Sequence, residues 1–187
     1  MSERSSSVRV APLPADRWDE AVEKALRMMP EELRNPTDAG NAVSTFVNHP
    51  DLTRSYLSFS FYLLTRSTLP PRLRELAVLR IAHLTGCAYE WSEHLVIGGN
   101  AGLSEDDIAA LQHGEAADEF DRTVLSAVDE LLEHTRISDK TWAALSEVFD
   151  TRQLMDFVFT VGGYHMLAMA LNTFGVEPAN VESTEEN

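Results

Sequence analysis

The 187-residue sequence holds a single cysteine, Cys87. One thiol excludes an internal disulfide and any multi-cysteine metal site, and it suits a reducing, cytoplasmic setting. Basic residues are scarce as well: 15 Lys and Arg face 30 Asp and Glu, for a net charge of -15. That balance argues against nucleic acid and against an anionic membrane surface as partners. No Gly-rich phosphate loop, internal repeat or convincing sheet pattern is present. The opening MSERSSSVRV lacks the apolar run of a signal peptide, so none is expected. The one uncharged stretch near bilayer length is 157–176, and it contains Gly162, Gly163, His165 and Asn172. It is expected to be a fully buried helix of a soluble protein, not a membrane span.

What is present reads as an all-α protein. The apolar fraction of 44% and charged fraction of 24% are those of a folded soluble domain. Residues 1–11 are expected to be a flexible arm, 12–178 a single helical domain and 179–187 an acidic disordered tail. Asp16 suits an N-cap, with Trp18, Val22 and Leu26 repeating every four residues behind it. NPTDAG at 35–40 reads as a turn before a short helix over 41–47. Pro50 opens a helix over 51–66 whose aromatics point all round, which predicts burial on most sides. Pro70-Pro71 starts the next helix and Gly86 ends it. Another runs from near Cys87 to Asn100. Ser104 with Asp107 forms a capping box, 118–134 is amphipathic, and Ser138 caps 140–149. Asp150 with Gln153 caps a long helix over 151–174 that Gly175 and Pro178 close. The sum is about eight helices joined by short loops.

The chemistry-bearing residues concentrate in ELAVLRIAHLTGCAYEWSEH, residues 75–94. Cys87, Glu90, Trp91 and His94 fall at i, i+3, i+4 and i+7, one face of a helix. Cys87 at the first turn is either a thiol activated by the helix dipole or a small buried hydrophobe. His94 can move a proton, and Glu90, four residues before it, is placed to pair with it. Glu75 is the sole carboxylate between Ser55 and Tyr89. It is either a buried acid or base, or half of an ion pair with Arg72, Arg74 or Arg80. His83, Tyr89, Trp91, Tyr164, His165 and Asn172 are further candidates. Glu90-x3-His94 has no partner helix bearing a matching metal motif, so no metal is expected.

The stretch LPPRLRELAVLRIAHLTGCAYEWSEHLVIGGNAGLSEDDIAAL resembles the carboxymuconolactone decarboxylase family, and GGYHMLAMALNTFGVEP is similar to its closing helix. The superfamily includes the alkylhydroperoxidase D (AhpD) type of disulfide-dependent peroxide reductase. The resemblance implies an AhpD-like all-α fold, a homotrimer or homohexamer, and a site near a subunit interface. In the peroxidase branch a proton-relay Glu stands twelve residues before a Cys-x-x-Cys, with a His four residues after the second Cys. Glu75, Cys87 and His94 match the Glu, the first Cys and the His; Glu90 fills the second Cys position and Tyr89 replaces a neighbouring His. A lone thiol cannot cycle through an intramolecular disulfide. The resemblance therefore implies the decarboxylase-like branch: a cofactor-free lyase acting by acid–base chemistry on a small carboxylated or lactone-type substrate. Glu75 and His94 are then the acid–base pair, with Glu90 orienting His94 or acting as base. Arg72 or Arg80 would hold a substrate carboxylate, and Tyr89, Trp91 and Tyr164 would line the site. The alternatives are a thiol-dependent peroxidase with peroxiredoxin-like activity at Cys87, and a non-enzymatic oligomer that binds a small ligand.

Overall fold

The structure, a computed structural model, describes residues 8–178. Among them are nine α-helices, two 3-10 turns (Ala15–Arg17 and Glu31–Leu33) and no strand. The helices are α1 (Glu20–Ala25), α2 (Gly40–Phe46), α3 (Pro50–Thr65), α4 (Pro71–Thr85), α5 (Ala88–Asn100), α6 (Glu105–Gln112), α7 (Glu119–His134), α8 (Asp139–Ser146) and α9 (Thr151–Phe174). The described residues form two compact units: 59–172, and 8–58 together with 173–178.

In the terminal unit, Pro14 precedes the first 3-10 turn, so the α1 cap falls on Asp19 and not on Asp16. Asp19 accepts from the N–H groups of Ala21 and Val22 at 2.9 and 3.1 Å. The expected arm is fastened where it is described: Arg9 and Val10 N–H both donate to the Phe174 carbonyl, at 2.8 and 3.1 Å. Residues 1–7 and the expected acidic tail, 179–187, lie outside the described residues. Phe46 meets Tyr56 and Phe174 edge-on, with ring centroids 5.6 and 6.3 Å apart.

The Phe59–Asn172 unit is built around α4. Every residue from Arg74 to Ala82 is buried, because neighbours cover this helix on all sides. Gly86, at φ 61°, turns the chain in the left-handed conformation and lets α5 fold back along α4. Two arginines on α4 tie it to α6 and α7. Arg72 reaches Asp121 at 2.7 Å and Asp107 at 3.2 Å. Arg80 grips Asp129 with two 2.8 Å bonds and donates to the carbonyls of Leu111 and Gln112. The start of α4 is set by Asp156 of α9, which accepts from Tyr62 Oη (2.7 Å), Thr68 N–H (2.6 Å) and Thr68 Oγ1 (2.7 Å). The capping boxes at Ser104–Asp107 and Asp150–Gln153 form as their spacing predicts.

Two expectations of burial are corrected. On α3 only Thr53, Leu57 and Leu63 are buried, and the aromatics are half-exposed. On α9, Leu154, Phe157, Val161, Tyr164, Ala168 and Leu171 face the interior, while Met155, Phe159, Met166 and Met169 form an exposed stripe. Both faces of α9 are apolar, so composition did not distinguish the inner one. The helix is long and apolar enough to cross a bilayer, but one face of it belongs to this core.

Helices α3 and α9 meet closely at Gly163, where an added Cβ would lie 2.6 Å from Leu63 Cδ1 and 3.0 Å from Phe59 Cε1. At Gly162 an added Cβ would meet nothing within 4 Å. Gly162→Ala should therefore gain up to about 1 kcal/mol from helix propensity. Gly163→Ala should cost about 1–3 kcal/mol from overpacking. Urea denaturation of the two variants tests the contrast; equal midpoints would contradict the close crossing.

Candidate acid–base site

Glu75 sits in the middle of the buried stretch of α4 with none of its surface exposed. A charge there requires partners, since an isolated buried carboxylate is strongly disfavoured. It has two. Arg74 Nε donates to Oε1 at 2.8 Å, and His94 Nδ1 lies 2.6 Å from Oε2. Burial is the largest influence on Glu75 and pushes its pKa up. The hydrogen bond and charge of His94, then those of Arg74, outweigh it, and the pKa ends below the ordinary value. Glu75 is therefore an ionised acceptor, which assigns the proton on Nδ1 to His94 and leaves Nε2 as the ring nitrogen not engaged by Glu75.

Close helix contact delivers His94 to this position. One turn beyond it on α5, Gly98 faces α4. An added Cβ would come within 3.1 Å of Leu79 Cδ1, 3.2 Å of Leu103 Cδ1 and 3.7 Å of Glu75 Cβ. The His94 ring is 7% exposed and packs edge-on against Tyr164, with centroids 5.0 Å apart.

Glu90 lies one turn before His94 and is 1% exposed. Neither of its carboxyl oxygens has a hydrogen-bond partner among the described residues. Burial pushes its pKa up to about 8, against a smaller lowering by the Cys87 thiol beside it. Glu90 thus carries its proton at neutral pH. It does not orient His94 as the i,i+4 spacing suggested, because Glu75 occupies Nδ1 from the neighbouring helix.

Cys87 caps α5 through its backbone, without a side-chain capping bond, and is 1% exposed. Burial pushes the thiol up to about 12; backbone N–H groups of Glu90 and Tyr89 favour the thiolate, while the Glu90 carboxyl opposes it. Of the two readings of Cys87, its burial favours the small buried hydrophobe over the dipole-activated thiol.

The remaining candidates divide. Tyr164 joins the site. Tyr89 and Trp91 are half-buried on α5, with Trp91 against His83 at 6.0 Å between ring centroids. Asn172 donates to the Thr85 carbonyl at 3.0 Å, a structural bond. Arg72 and Arg80 do not reach Glu75 and are not available to a substrate carboxylate, because aspartates of α6 and α7 and backbone carbonyls engage them. The arginine that matters is Arg74, considered from sequence only as an ion-pair partner. Adjacent residues on a helix do not face each other, so spacing did not single Arg74 out from Arg72 and Arg80. Among the described residues, no group of three or more His, Cys, Asp or Glu is placed to hold a metal ion. A surface hollow at Glu130, His134, Arg136, Ser138 and Asp139 is occupied by its own pairs, Glu130 with Ser138 and Arg136 with Asp139.

Residues 50–133 match the sequence model of the carboxymuconolactone decarboxylase family. No curated protein matches the chain. Solved structures with the same fold include the following two. One is a protein of unknown function from Agrobacterium tumefaciens, suggested to be an AhpD antioxidant defence protein. It is 19% identical, with a TM-score of 0.66 over 72% of this chain and 94% of that one. The other is an uncharacterized peroxidase-related protein with an alkylhydroperoxidase AhpD core, from Ralstonia eutropha JMP134. It is 17% identical, with a TM-score of 0.67 over 91% of this chain and 93% of that one. The all-α, AhpD-like architecture expected from the sequence is thus the observed one.

The raised pKa of Glu90 has a consequence for stability. Between its ordinary value of 4.5 and about 8, the folded protein keeps a proton that the unfolded chain has lost. The Glu90 contribution is therefore full below pH 4.5 and falls as pH rises through 8. Glu90→Gln removes this dependence, so its melting temperature relative to the parent should climb from pH 5 to pH 8.5. A constant difference across that range would show that Glu90 is not protonated in the fold.

Proposed function

We propose that this chain, whose residues 50–133 match the carboxymuconolactone decarboxylase family, is a cofactor-free proton-transfer enzyme, decarboxylase-like, acting on a small carboxylated or lactone-type substrate. The observation that carries the reading is a buried, proton-bearing Glu90 one turn from a histidine whose Nδ1 is held by an ionised carboxylate. Environments that separate two titratable groups in this way assign an acid and a base. Glu75 and Arg74 orient the ring, His94 Nε2 takes a proton, and Glu90 gives one.

For loss of CO2 from a β-keto or vinylogous acid, the bond to the carboxylate carbon breaks and its electron pair moves onto the substrate's own carbonyl. Glu90 then protonates the carbon, and the ionised Glu90 regains a proton from solvent through His94. Isomerisation or lactone opening would use the same two groups. The homotrimer or homohexamer implied by the family likeness is part of the proposal, supported by the uncovered Met155–Phe159–Met166–Met169 stripe on α9. A cytoplasmic location is also proposed, on the strength of the free thiol.

The thiol-peroxidase reading takes support from the descriptions of the two similar structures, but the burial and raised pKa of Cys87 weigh against it. A substrate and peroxide screen with variants separates the two. His94→Ala and Glu90→Gln should each lower kcat about 100- to 10,000-fold, the usual range for general acid–base groups. Cys87→Ser should retain turnover, and parent activity should decline above pH 8 as Glu90 ionises. Peroxide consumption abolished by Cys87→Ser, with Glu90→Gln unaffected, would replace the acid–base reading with the redox one.

A further inference from the structure

The three arginines of α4 differ in how their guanidinium nitrogens are used. Arg72 engages Nη1 with Asp121 and Nη2 with Asp107. Arg80 engages Nε and Nη2 with Asp129 and Nη1 with two backbone carbonyls. Arg74 makes a single bond, from Nε to Glu75 Oε1. Its Nη1 and Nη2 have no partner among the described residues, and neither is among the enclosed unpaired atoms, which are Glu90 Oε1, Glu90 Oε2 and Thr160 Oγ1. The side chain keeps 11% of its surface exposed. The outer edge of this guanidinium is therefore an open fork at the rim of a buried site.

We propose that the Nη1–Nη2 edge of Arg74 binds the carboxylate of the substrate, which is a small organic anion whose reacting carbon is directed toward His94 and Glu90. The fork and the imidazole grip opposite oxygens of one Glu75 carboxylate, at 2.8 and 2.6 Å. The fork is thus joined to the His94 ring through the Arg74 guanidinium and the Glu75 carboxylate, with the Nη1–Nη2 edge turned away from Glu75. The Glu75 bond fixes the rotamer in advance, which lowers the ordering cost of binding. Both oxygens of Glu75 are already bonded, so Glu75 does not turn to compete for the fork. Two parallel N–H donors match the two oxygens of a carboxylate. A single fork with one positive charge suits a carboxylate better than a phosphate, which calls for more donors.

The assignment of the reacting carbon rests on the proton-transfer reading; the binding step does not. The test is titration of the protein with acetate, succinate and benzoate, read by the side-chain 15N resonances of Arg74 and by calorimetry. The anions should shift the Arg74 signals. Arg74→Gln should weaken binding about 10- to 100-fold, the loss of a charged hydrogen-bonded contact. Arg74→Lys should fall between the two, and Arg66→Gln, at an exposed arginine elsewhere in the unit, should bind as the parent does. Absence of any Arg74 shift overturns the proposal even if the Arg74 variants fail to fold. Parent-like binding by Arg74→Gln, or displacement of all three acids by equimolar inorganic phosphate, overturns it too. Turnover of a neutral lactone that is insensitive to Arg74→Gln would refute the fork alone. Anion binding that depends on Arg74, with no proton-transfer substrate found, would refute the function alone.

Discussion

The ionised Glu75 carboxylate, wholly buried in α4, is the constraint on which the site depends. A charge in that position survives only with good partners, and losing one would cost about 3–5 kcal/mol. Arg74 and His94 supply them from two helices. That requirement explains features otherwise unrelated. Gly86 must reverse the chain tightly so that α5 runs back along α4. Gly98 must lack a side chain so that the helices approach. Asp156 must secure the connection into α4 so that Arg74 enters the helix in register. The same carboxylate that holds the helices together also orients the histidine, so one interaction both joins α4 to α5 and sets the ring.

The neighbouring Cys87–Glu90 pair shows how a single position changes the chemistry available to this scaffold. A carboxyl at position 90 removes the partner a redox thiol would need. Its own buried oxygens stay unpaired and retain a proton, and its charge, once formed, opposes a thiolate at Cys87. Burial therefore holds both groups in their neutral forms. The balance is the one that the proposed proton donation from Glu90 requires.

Much of this was legible in the sequence because it follows from local rules. The Ser104–Asp107 and Asp150–Gln153 boxes, the Gly86 reversal and the amphipathic pattern of α7 each depend on residues within a turn or two. The set Glu75, Glu90 and His94 was also legible, but not its wiring. Spacing joined Glu90 to His94 and left Glu75 with Arg72, Arg74 or Arg80, whereas the fold joins His94 and Arg74 to Glu75 and Arg72 to Asp107 and Asp121. The competing partners come from other helices, at sequence separations that periodicity does not register. Desolvation escaped the sequence for the same reason. The sequence left Cys87 as either a dipole-activated thiol or a small buried hydrophobe, and its burial favours the second.

The use of arginine follows from the same competition. Acidic residues are abundant in α6 and α7, and wherever an α4 guanidinium meets one it becomes a structural tie, as Arg72 and Arg80 do. Arg74 points to the one carboxylate of its own helix, and that carboxylate is shared with His94. Sharing leaves Glu75 one oxygen for each partner, so it takes only Nε and the other two nitrogens remain open. In a chain with net charge -15, an open guanidinium edge persists because the nearest acid is already divided between two partners. Any ligand selected at this site must then present what Glu75 cannot spare, a second pair of carboxylate oxygens.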